Sequence, residues 1–297
     1  MQNIKDHSPG VYRIARPQEP LPLIYDSPHS GRVYPADFDY ACDEGLLRRG
    51  EDNYVDELIA HAPAHGIHLL CADFPRTYID VNRADNDIEP DILATAWPAP
   101  LNPTERALSG IGLIRREIKP GIPVYNRKLS VSEITQRLEN YYIPYHSAIR
   151  DLLDQSYDLF GQVWHINWHS MPSLGAVGPL PHSGRRPGSG QPDFVLGDRN
   201  GTSCWPDFTN DIKDLLKNLG YSVAINTPYK GVELVRRYSN PNAGRASLQI
   251  EINKGLYWNE RRLEKNSNFN ALKDDLEKFT CSLCRYISAQ SPRLAAD

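Results

Sequence analysis

The feature that most constrains the fold of this chain is an alternation of short apolar runs with amphipathic stretches along most of its 297 residues. Short runs rich in branched and aromatic side chains predict buried strands, and apolar residues at every third or fourth position predict helices. Strands separated by helices favour an α/β fold, here with a mixed, mostly parallel central sheet between helices. The predicted strands are 11–14, 21–26, 67–72, 77–81, 163–168, 193–196, 221–225 and 247–252. The predicted helices are 52–64, 132–142, 144–160, 205–219 and 267–287.

The chain is predicted to form one domain, residues 1–297, because it contains no internal repeat and no clear linker. A stretch rich in glycine, proline and serine, 175–193, lies between two predicted strands. Its length predicts a functional loop or lid rather than a domain boundary. Between the second and third predicted helices, Pro144 is expected to kink or restart the helix.

The composition excludes several classes of function. Hydrophobic residues make up 40% of the chain and charged residues 24%, which is typical of a soluble globular protein with a substantial core. A net charge of −4 argues against a general binder of nucleic acid or of an anionic membrane surface. No apolar run is long enough for a membrane span, and the first residues lack the apolar core of a signal peptide. Neither nucleic acid nor a membrane is therefore expected as a partner.

The five cysteines predict a reducing compartment. They are odd in number and scattered, so a disulfide framework is not expected, and the cytoplasm is the predicted location. Cys281 and Cys284 form a single CxxC motif with no second pair. We interpret them as two thiols on a C-terminal helix rather than as a zinc site.

The turn after the second predicted strand places a histidine in a constrained position. The run 21–26 ends in Asp26, and the sequence continues Ser-Pro-His-Ser-Gly through His29 to Gly31. Proline fixes the backbone and glycine permits a tight turn, so together they would hold the imidazole of His29 in one place.

Other predicted strands also end in polar or ionisable side chains. In open α/β sheets ligands bind beyond the carboxyl ends of the strands, so these side chains are expected to converge on one site. They are Asn82 and Arg83 after 77–81, with Arg76 just before that run, His169 after 163–168, and Glu251 near the end of 247–252.

Two histidines and one carboxylate on separate loops match the ligand set of a catalytic zinc ion. Asp52 lies 23 residues after His29 and begins a predicted helix, so it could return to the same rim of the sheet. The adjacent Glu51 competes with it for this role. Asp56, one helical turn on, would point at the residues that hold the ligands.

A glutamate beside an open zinc site can take a proton from water and pass it to a leaving amine. Glu251 is flanked by Ile250 and Ile252, so alternation along the strand places it on a buried face. A carboxylate is costly there unless it is paired or used. Arginine at such a site offers a planar fork for a substrate carboxylate.

Each of these residues also has a structural interpretation. These are a turn cap for His29, a satisfied core position for His169, and an ion pair of Arg83 with Asp80 or Asp85. A serine hydrolase with Ser30 or Ser170 as nucleophile is another alternative, although the chain contains no GxSxG elbow.

Seven segments resemble the N-formylglutamate amidohydrolase family, in the same order and over about residues 20–260. They are SPHSG, EDNYVDEL, FPRTYIDVNR, HSMP, VLGDRNGTSC, PYKG and LQIEINKGLY. That family is similar in fold to the zinc carboxypeptidases and to aspartoacylase, which have a mixed eight-stranded sheet between helices. The resemblance therefore implies a zinc-carboxypeptidase-like fold.

The resemblance also implies roles for individual residues. His29, Asp52 and His169 would bind one zinc ion per chain, with Glu51 as the alternative carboxylate. Asn82 and Arg83 would hold a substrate carboxylate, and Arg76 would lie near the scissile carbonyl or a second carboxylate. Glu251 would be the general base. One position departs from the family pattern: Asn167 stands where an acidic residue is expected, two positions before His169.

The implied reaction is zinc-dependent hydrolysis of an N-acyl amino acid, N-formyl-L-glutamate above all, to formate and L-glutamate. Two alternatives stay open. One is a zinc deacylase or carboxypeptidase that acts on another N-acyl amino acid or a short peptide. The other is a non-catalytic carboxylate-binding protein with the same fold. The sequence leaves the oligomeric state, including a homo-oligomer, undecided.

Overall fold

The computed structural model describes residues 6–119, 121–173 and 191–290. Its strands are β1 (His7–Ser8), β2 (Tyr12–Ala15), β3 (Leu23–Ser27), β4 (His68–Ala72), β5 (Glu117–Lys119), β6 (Ile122–Pro123), β7 (Val163–Met171), β8 (Phe194–Gly197), β9 (Val223–Ile225), β10 (Arg245–Asn253), β11 (Trp258–Asn259) and β12 (Glu264–Lys265). Its α-helices are α1 (Glu44–Arg49), α2 (Val55–Leu58), α3 (Glu105–Leu108), α4 (Val131–Arg137), α5 (Ile143–Phe160), α6 (Pro206–Asn218), α7 (Glu233–Arg237) and α8 (Phe269–Gln290).

Eight of the strands form one sheet in the order β1-β2-β4-β3-β7-β10-β8-β9. The four central strands β4, β3, β7 and β10 are parallel to one another, and β8 is parallel to β9. The pairs β1–β2, β2–β4 and β10–β8 are antiparallel. The predicted fold class, a mixed and mostly parallel sheet between helices, is confirmed, and the eight strands match the number that the resemblance implies.

The two faces of the central sheet differ in chemistry. One face is apolar and packs against α6 and α8, with Trp164, Ile166 and Trp168 of β7 in this core. Because successive side chains of a strand point to opposite faces, His165, Asn167 and His169 of β7 point the other way. A second apolar core, which includes residues of α4 and α5, lies on that side. The same strand thus supplies both a core and a polar row.

The polar row is buried, and its side chains form hydrogen bonds with one another and with their neighbours. His165 donates from Nε2 to Asp26 Oδ1 at 2.8 Å, and its Nδ1 lies 2.7 Å from Ser247 Oγ. Asn167 and Tyr145 also donate to the Asp26 carboxylate, each at 2.8 Å. Although burial alone would raise the pKa of Asp26, these partners hold it below its ordinary value.

Two of the predicted elements are wrong. Residues 77–81 do not form a strand, because Tyr78 N donates to Pro75 O and closes a turn at 3.0 Å. Their apolar side chains are nevertheless buried in the second core, which explains the strand-like pattern. Helix α2 begins at Val55 rather than at Asp52, since the left-handed Tyr54 (φ 60°) prevents a helix from extending further back. A separate 3₁₀ helix, Ala62–His65, completes the predicted 52–64 segment.

The remaining predicted strands and helices are present with shifted ends. A π-helical turn, Leu138–Tyr142, joins α4 to α5 just before Pro144, where a restart was predicted. Cys281 and Cys284 lie on α8, as predicted, and contact His65. No helix among the described residues is both long and apolar enough to span a membrane. Most of the 175–193 stretch lies outside the described residues, and the single domain over 1–297 stays a prediction.

The polar row generates a prediction about stability. Asp26→Ala would leave His165, Asn167 and Tyr145 without their shared acceptor in a water-free environment. Breaking a buried charged network in this way costs about 3–5 kcal/mol in the free energy of unfolding. Urea denaturation measures the change. Asp154→Ala is the matched control, because its ion pair with Arg245 is half-exposed and is worth about 0–1 kcal/mol. Equal losses in the two variants would contradict the prediction.

Candidate active site

Three of the predicted site residues form a tight cluster at the carboxyl ends of β3 and β7. His29, Asp52 and His169 are buried, and one potential ligand atom from each lies within 4.8 Å of the others. Asp52 Oδ2 is 3.3 Å from His29 Nδ1 and 3.1 Å from His169 Nδ1. The two imidazole rings meet edge to face, with their centroids 4.6 Å apart. The structure therefore brings the three predicted ligands together.

Backbone contacts fix the loops that carry His29 and Asp52. Asp52 N donates to His29 O at 3.0 Å, and Ser30 Oγ donates to Asp52 O at 3.1 Å. Gly31 is required by a close approach: a Cβ there would lie 2.1 Å from Phe74 O. The turn was predicted to hold His29 in place. At Gly31 it does so because there is no space for a side chain.

The nitrogen atoms of the two histidines that face away from the cluster are also held. His29 Nε2 donates to Asp80 Oδ1 at 2.7 Å, and His169 Nε2 donates to Asn167 Oδ1 at 2.6 Å. A histidine that donates from Nε2 and is neutral keeps its Nδ1 lone pair free for a metal. Asn167, the departure from the family pattern, still supplies an acceptor, because Asp26 binds its Nδ2 and turns its oxygen toward His169.

Asp52 and Glu51 occupy different environments. Although burial alone would raise the pKa of Asp52, its close contacts with His169 and His29 and the charge of Arg76 hold that pKa well below its ordinary value. Glu51 faces away from the histidines and accepts hydrogen bonds from Tyr34 and from Asn53. Burial raises the pKa of Glu51 to about 7. Of the two carboxylates, the geometry places Asp52 with the histidines.

The cluster fits a zinc ion. His29 Nδ1 is buried and has no hydrogen bond within the described residues, so a polar atom that needs a partner faces Asp52 and His169. Two imidazoles and one carboxylate are the donors that zinc takes in catalytic sites, and the second ring nitrogen of each histidine is already anchored. Asp56, by contrast, pairs with Arg13 rather than with residues that hold the ligands.

Glu251 lies beside the cluster because of strand register. It is opposite His169 in the parallel pairing of β7 with β10 and points to the polar face, as predicted. Gln249 Nε2 donates to Glu251 Oε1 at 2.9 Å. Only 7% of Glu251 is exposed, and burial raises its pKa to about 7. The side chain is a buried carboxylate with one hydrogen-bond partner among the described residues, and it lies next to a potential metal ligand.

Arg76 is engaged with the carboxylates of the cluster. Its Nη2 donates to Asp80 Oδ2 at 2.7 Å, and its Nη1 lies 3.7 Å from Asp52 Oδ1. The resemblance implies that this residue lies near the scissile carbonyl or a second carboxylate. The structure shows that Nε and Nη2 of Arg76 are used within the protein, since both donate to Asp80 Oδ2.

Asn82 and Arg83 follow Asp80 at the same rim. Asn82 Oδ1 accepts a hydrogen bond from Leu234 N at 2.9 Å, and its Nδ2 lies 3.2 Å from His169 Nε2. Arg83 has a looser partner, with 3.7 Å between its Nη1 and Asp87 Oδ2. Burial lowers the pKa of Arg83. The guanidinium of Arg83 therefore has donors left for a ligand.

Sequence reasoning missed Asp80 and Arg115 as site residues. Asp80 was considered only as a partner of Arg83, yet it holds both His29 and Arg76. Arg115 lies on a loop after α3 and is buried; desolvation, with the charge of Arg76, lowers its pKa to about 9. Asp80 could have been found from the DVNR segment, but Arg115 stands in no quoted motif and is brought to the site by tertiary structure.

The geometry does not support the alternative of a serine hydrolase. Ser30 Oγ contacts Ser27 Oγ, Asp52 O and Asp56 N, and none of these atoms belongs to a histidine. Ser170 follows His169 on β7 and so points toward the opposite face. The Asp26, His165 and Ser247 side chains do have the connectivity of a triad, but all three are buried within the sheet and its cover.

Comparison with known proteins agrees with the resemblance seen in the sequence. A model of the N-formylglutamate amidohydrolase family matches residues 21–258. The chain belongs to this family. The match contains all seven of the predicted site residues.

Relatives and solved structures extend the comparison. The chain is 29% identical over 246 residues to an N-formylglutamate deformylase of Pseudomonas putida, covering 81% of this chain and 83% of that protein. The crystal structure of an N-formylglutamate amidohydrolase from Ralstonia eutropha has a TM-score of 0.87 and 43% identity, with 95% of this chain and 99% of that one covered. A gene product of Agrobacterium tumefaciens, 14% identical with a TM-score of 0.64, shares the fold over 94% of this chain and 95% of that one.

The different surroundings of Asp52 and Glu51 generate a prediction about metal binding. Asp52→Asn removes the charge of the proposed ligand, so zinc content after dialysis should fall strongly, as it should for His29→Ala and His169→Ala. Glu51→Gln is the matched control, since its carboxylate lies outside the cluster, and it should retain wild-type zinc content. Elemental analysis of the dialysed proteins gives the comparison. Zinc loss from Glu51→Gln with retention by Asp52→Asn would reverse the assignment.

Proposed function

We propose that the protein is a zinc-dependent hydrolase that cleaves N-formyl-L-glutamate to formate and L-glutamate. The observation that carries the proposal is the register of β7 and β10, which sets the buried Glu251 beside His169 in a cluster of two histidines and one carboxylate. Membership of the N-formylglutamate amidohydrolase family supports the substrate.

His29, Asp52 and His169 would hold the zinc ion, through Nδ1, a carboxylate oxygen and Nδ1. Zinc bound by three protein ligands supplies Lewis-acid polarisation of the formyl carbonyl and lowers the pKa of the attacking water. Asp80 and Asn167 keep the two imidazoles in the required tautomer and orientation. Arg76 binds Asp80 and lies near Asp52, so it places a fixed positive charge at the edge of the cluster.

Glu251 performs the proton transfer. It accepts a proton from the attacking water and returns it to the amide nitrogen as the C–N bond breaks, so that the amine of glutamate leaves neutral. Burial suits this task, because it raises the affinity of the carboxylate for a proton. The hydrogen bond from Gln249 fixes one carboxylate oxygen and leaves the other for the reaction.

Binding energy must come from the amino-acid end of the substrate, because a formyl group is very small. Arg83 binds the α-carboxylate through the donors that Asp87 leaves free. Asn82 assists through Nδ2, the end of its amide that is not committed to Leu234 N. The α-carboxylate is close to the scissile bond, which agrees with the position of this pair next to Asp80 and His169.

The role of Glu251 generates a prediction about the rate. Glu251→Gln keeps the shape of the side chain but cannot accept the proton, so turnover of N-formylglutamate should fall by about 10²- to 10⁴-fold. The measurement is turnover per zinc-loaded molecule, together with zinc content and a thermal melt. Activity within tenfold of wild type would contradict the proposed role of Glu251 in proton transfer. Loss of zinc or of folding, with normal activity in the remaining loaded fraction, would make Glu251 structural.

The role of Arg83 generates a prediction about substrate preference. Arg83→Ala removes charge-assisted hydrogen bonds worth about 1.5–3 kcal/mol, so kcat/KM for N-formylglutamate should fall roughly 10- to 150-fold. Hydrolysis of a neutral N-alkyl formamide should change far less. Arg150→Ala is the control, since Arg150 is exposed and pairs only with Asp151 among the described residues. Equal losses on both substrates would show that Arg83 is structural.

A further inference from the structure

Arg115 is a buried cation without a hydrogen-bond or ion-pair partner in the part of the chain that the structure describes. Its side chain makes no hydrogen bond and no ion pair within the described residues, although only 7% of the residue is exposed. Its two buried counterparts do have partners: Arg83 lies near Asp87, and Arg137 donates to Tyr78 O and to the Tyr125 hydroxyl. An unpaired charge in such a position is costly unless an anion meets it.

Backbone and side-chain contacts place Arg115 at the proposed active site. Leu113 O, two residues before Arg115, accepts a hydrogen bond from Asp80 N at 2.9 Å. The guanidinium reaches the loop that carries Asp52, because its Nη1 is only 3.2 Å from the point where a Cβ on Gly50 would lie. The backbone near Arg115 is thus bound to the Asp80 segment, and its guanidinium lies close to the loop that leads to Asp52.

Two other arginines beside the cluster are already assigned. Arg76 is bound to Asp80 and lies near Asp52. Arg83 takes the α-carboxylate in the proposed function. N-formylglutamate carries a second carboxylate, three carbons from the first, and a dicarboxylate that is desolvated on binding needs a second cation.

We infer that Arg115 is a specificity-determining residue that binds the side-chain carboxylate of the substrate. This inference rests on the proposed function and adds the selection of an acidic side chain over its neutral amide. A site built to pair with a charge rejects an analogue that lacks it, since the buried guanidinium is then left unpaired. Arg115 therefore separates glutamate from glutamine at the side-chain position.

The test compares Arg115→Met with Arg116→Met. Methionine removes the buried charge while filling apolar space, so the Arg115 variant should fold and melt no lower than wild type. Arg116 is its neighbour in sequence but pairs with Glu89 and Glu117 at the surface, which makes it the matched control. Arg115→Lys keeps the charge without the planar fork and should give an intermediate result.

The readout is the ratio of kcat/KM for N-formyl-L-glutamate to that for N-formyl-L-glutamine. The ratio should fall roughly 10- to 150-fold in Arg115→Met, with hydrolysis of the glutamine substrate nearly unchanged. Arg116→Met should keep the wild-type ratio. An unchanged ratio in Arg115→Met, or equal losses on both substrates, would overturn the inference. So would a wild-type enzyme that does not prefer the acidic substrate.

Calorimetric binding of L-glutamate and L-glutamine separates this inference from the proposed function, because it needs no turnover. Wild type should bind L-glutamate more tightly, and Arg115→Met should lose that preference. If this pattern holds while N-formylglutamate is not hydrolysed, the proposed function fails and the role of Arg115 stands. If hydrolysis occurs but both preferences survive the substitution, the function stands and the role of Arg115 is refuted.

Discussion

The arrangement of the site depends on how the sheet keeps charge buried. The carboxylate of Asp26 lies in the sheet and accepts hydrogen bonds from His165, Asn167 and Tyr145. Such a group is stable in the interior only when its partners are complete. Parallel pairing of β3, β7 and β10 brings those partners into line on one face, so the same strands can be apolar toward α6 and α8 and polar toward the site.

The buried network extends from the middle of the sheet to the cluster. Asp26 orients the amide of Asn167, and Asn167 orients the imidazole of His169. The side-chain amide of an asparagine has an oxygen that accepts hydrogen bonds and a nitrogen that donates them. A neighbouring group must therefore orient the amide so that the oxygen faces the histidine. The negative charge that the family pattern leads one to expect beside His169 is thus one residue further away, on Asp26, and acts through an amide.

The sequence predicted the elements with strong periodicity and the residues that stand at strand ends. His169 and Glu251 could be found in this way, because register and the strand period of two decide where they point, and His29 could be found because it directly follows a strand. The error at 77–81 arose because a buried loop has the same apolar pattern as a strand, and only the turn at Pro75 distinguishes them. Arg115 could not be found, since its position depends on a contact between the backbone at Leu113 and that at Asp80. Contacts of this kind leave no local pattern in a sequence.

The register of β7 with β10 has a consequence for how the protein can change. His169 and Glu251 are neighbours across a parallel ladder, so their separation is inherited from the strand spacing of about 4.8 Å. Main-chain hydrogen bonds set that spacing, and side-chain packing does not. Substitutions among Trp164, Ile166 and Trp168 on the opposite face can therefore alter stability without moving the two groups apart. The side chains that face α6 and α8 can therefore vary in sequence, while the separation of His169 and Glu251 is kept.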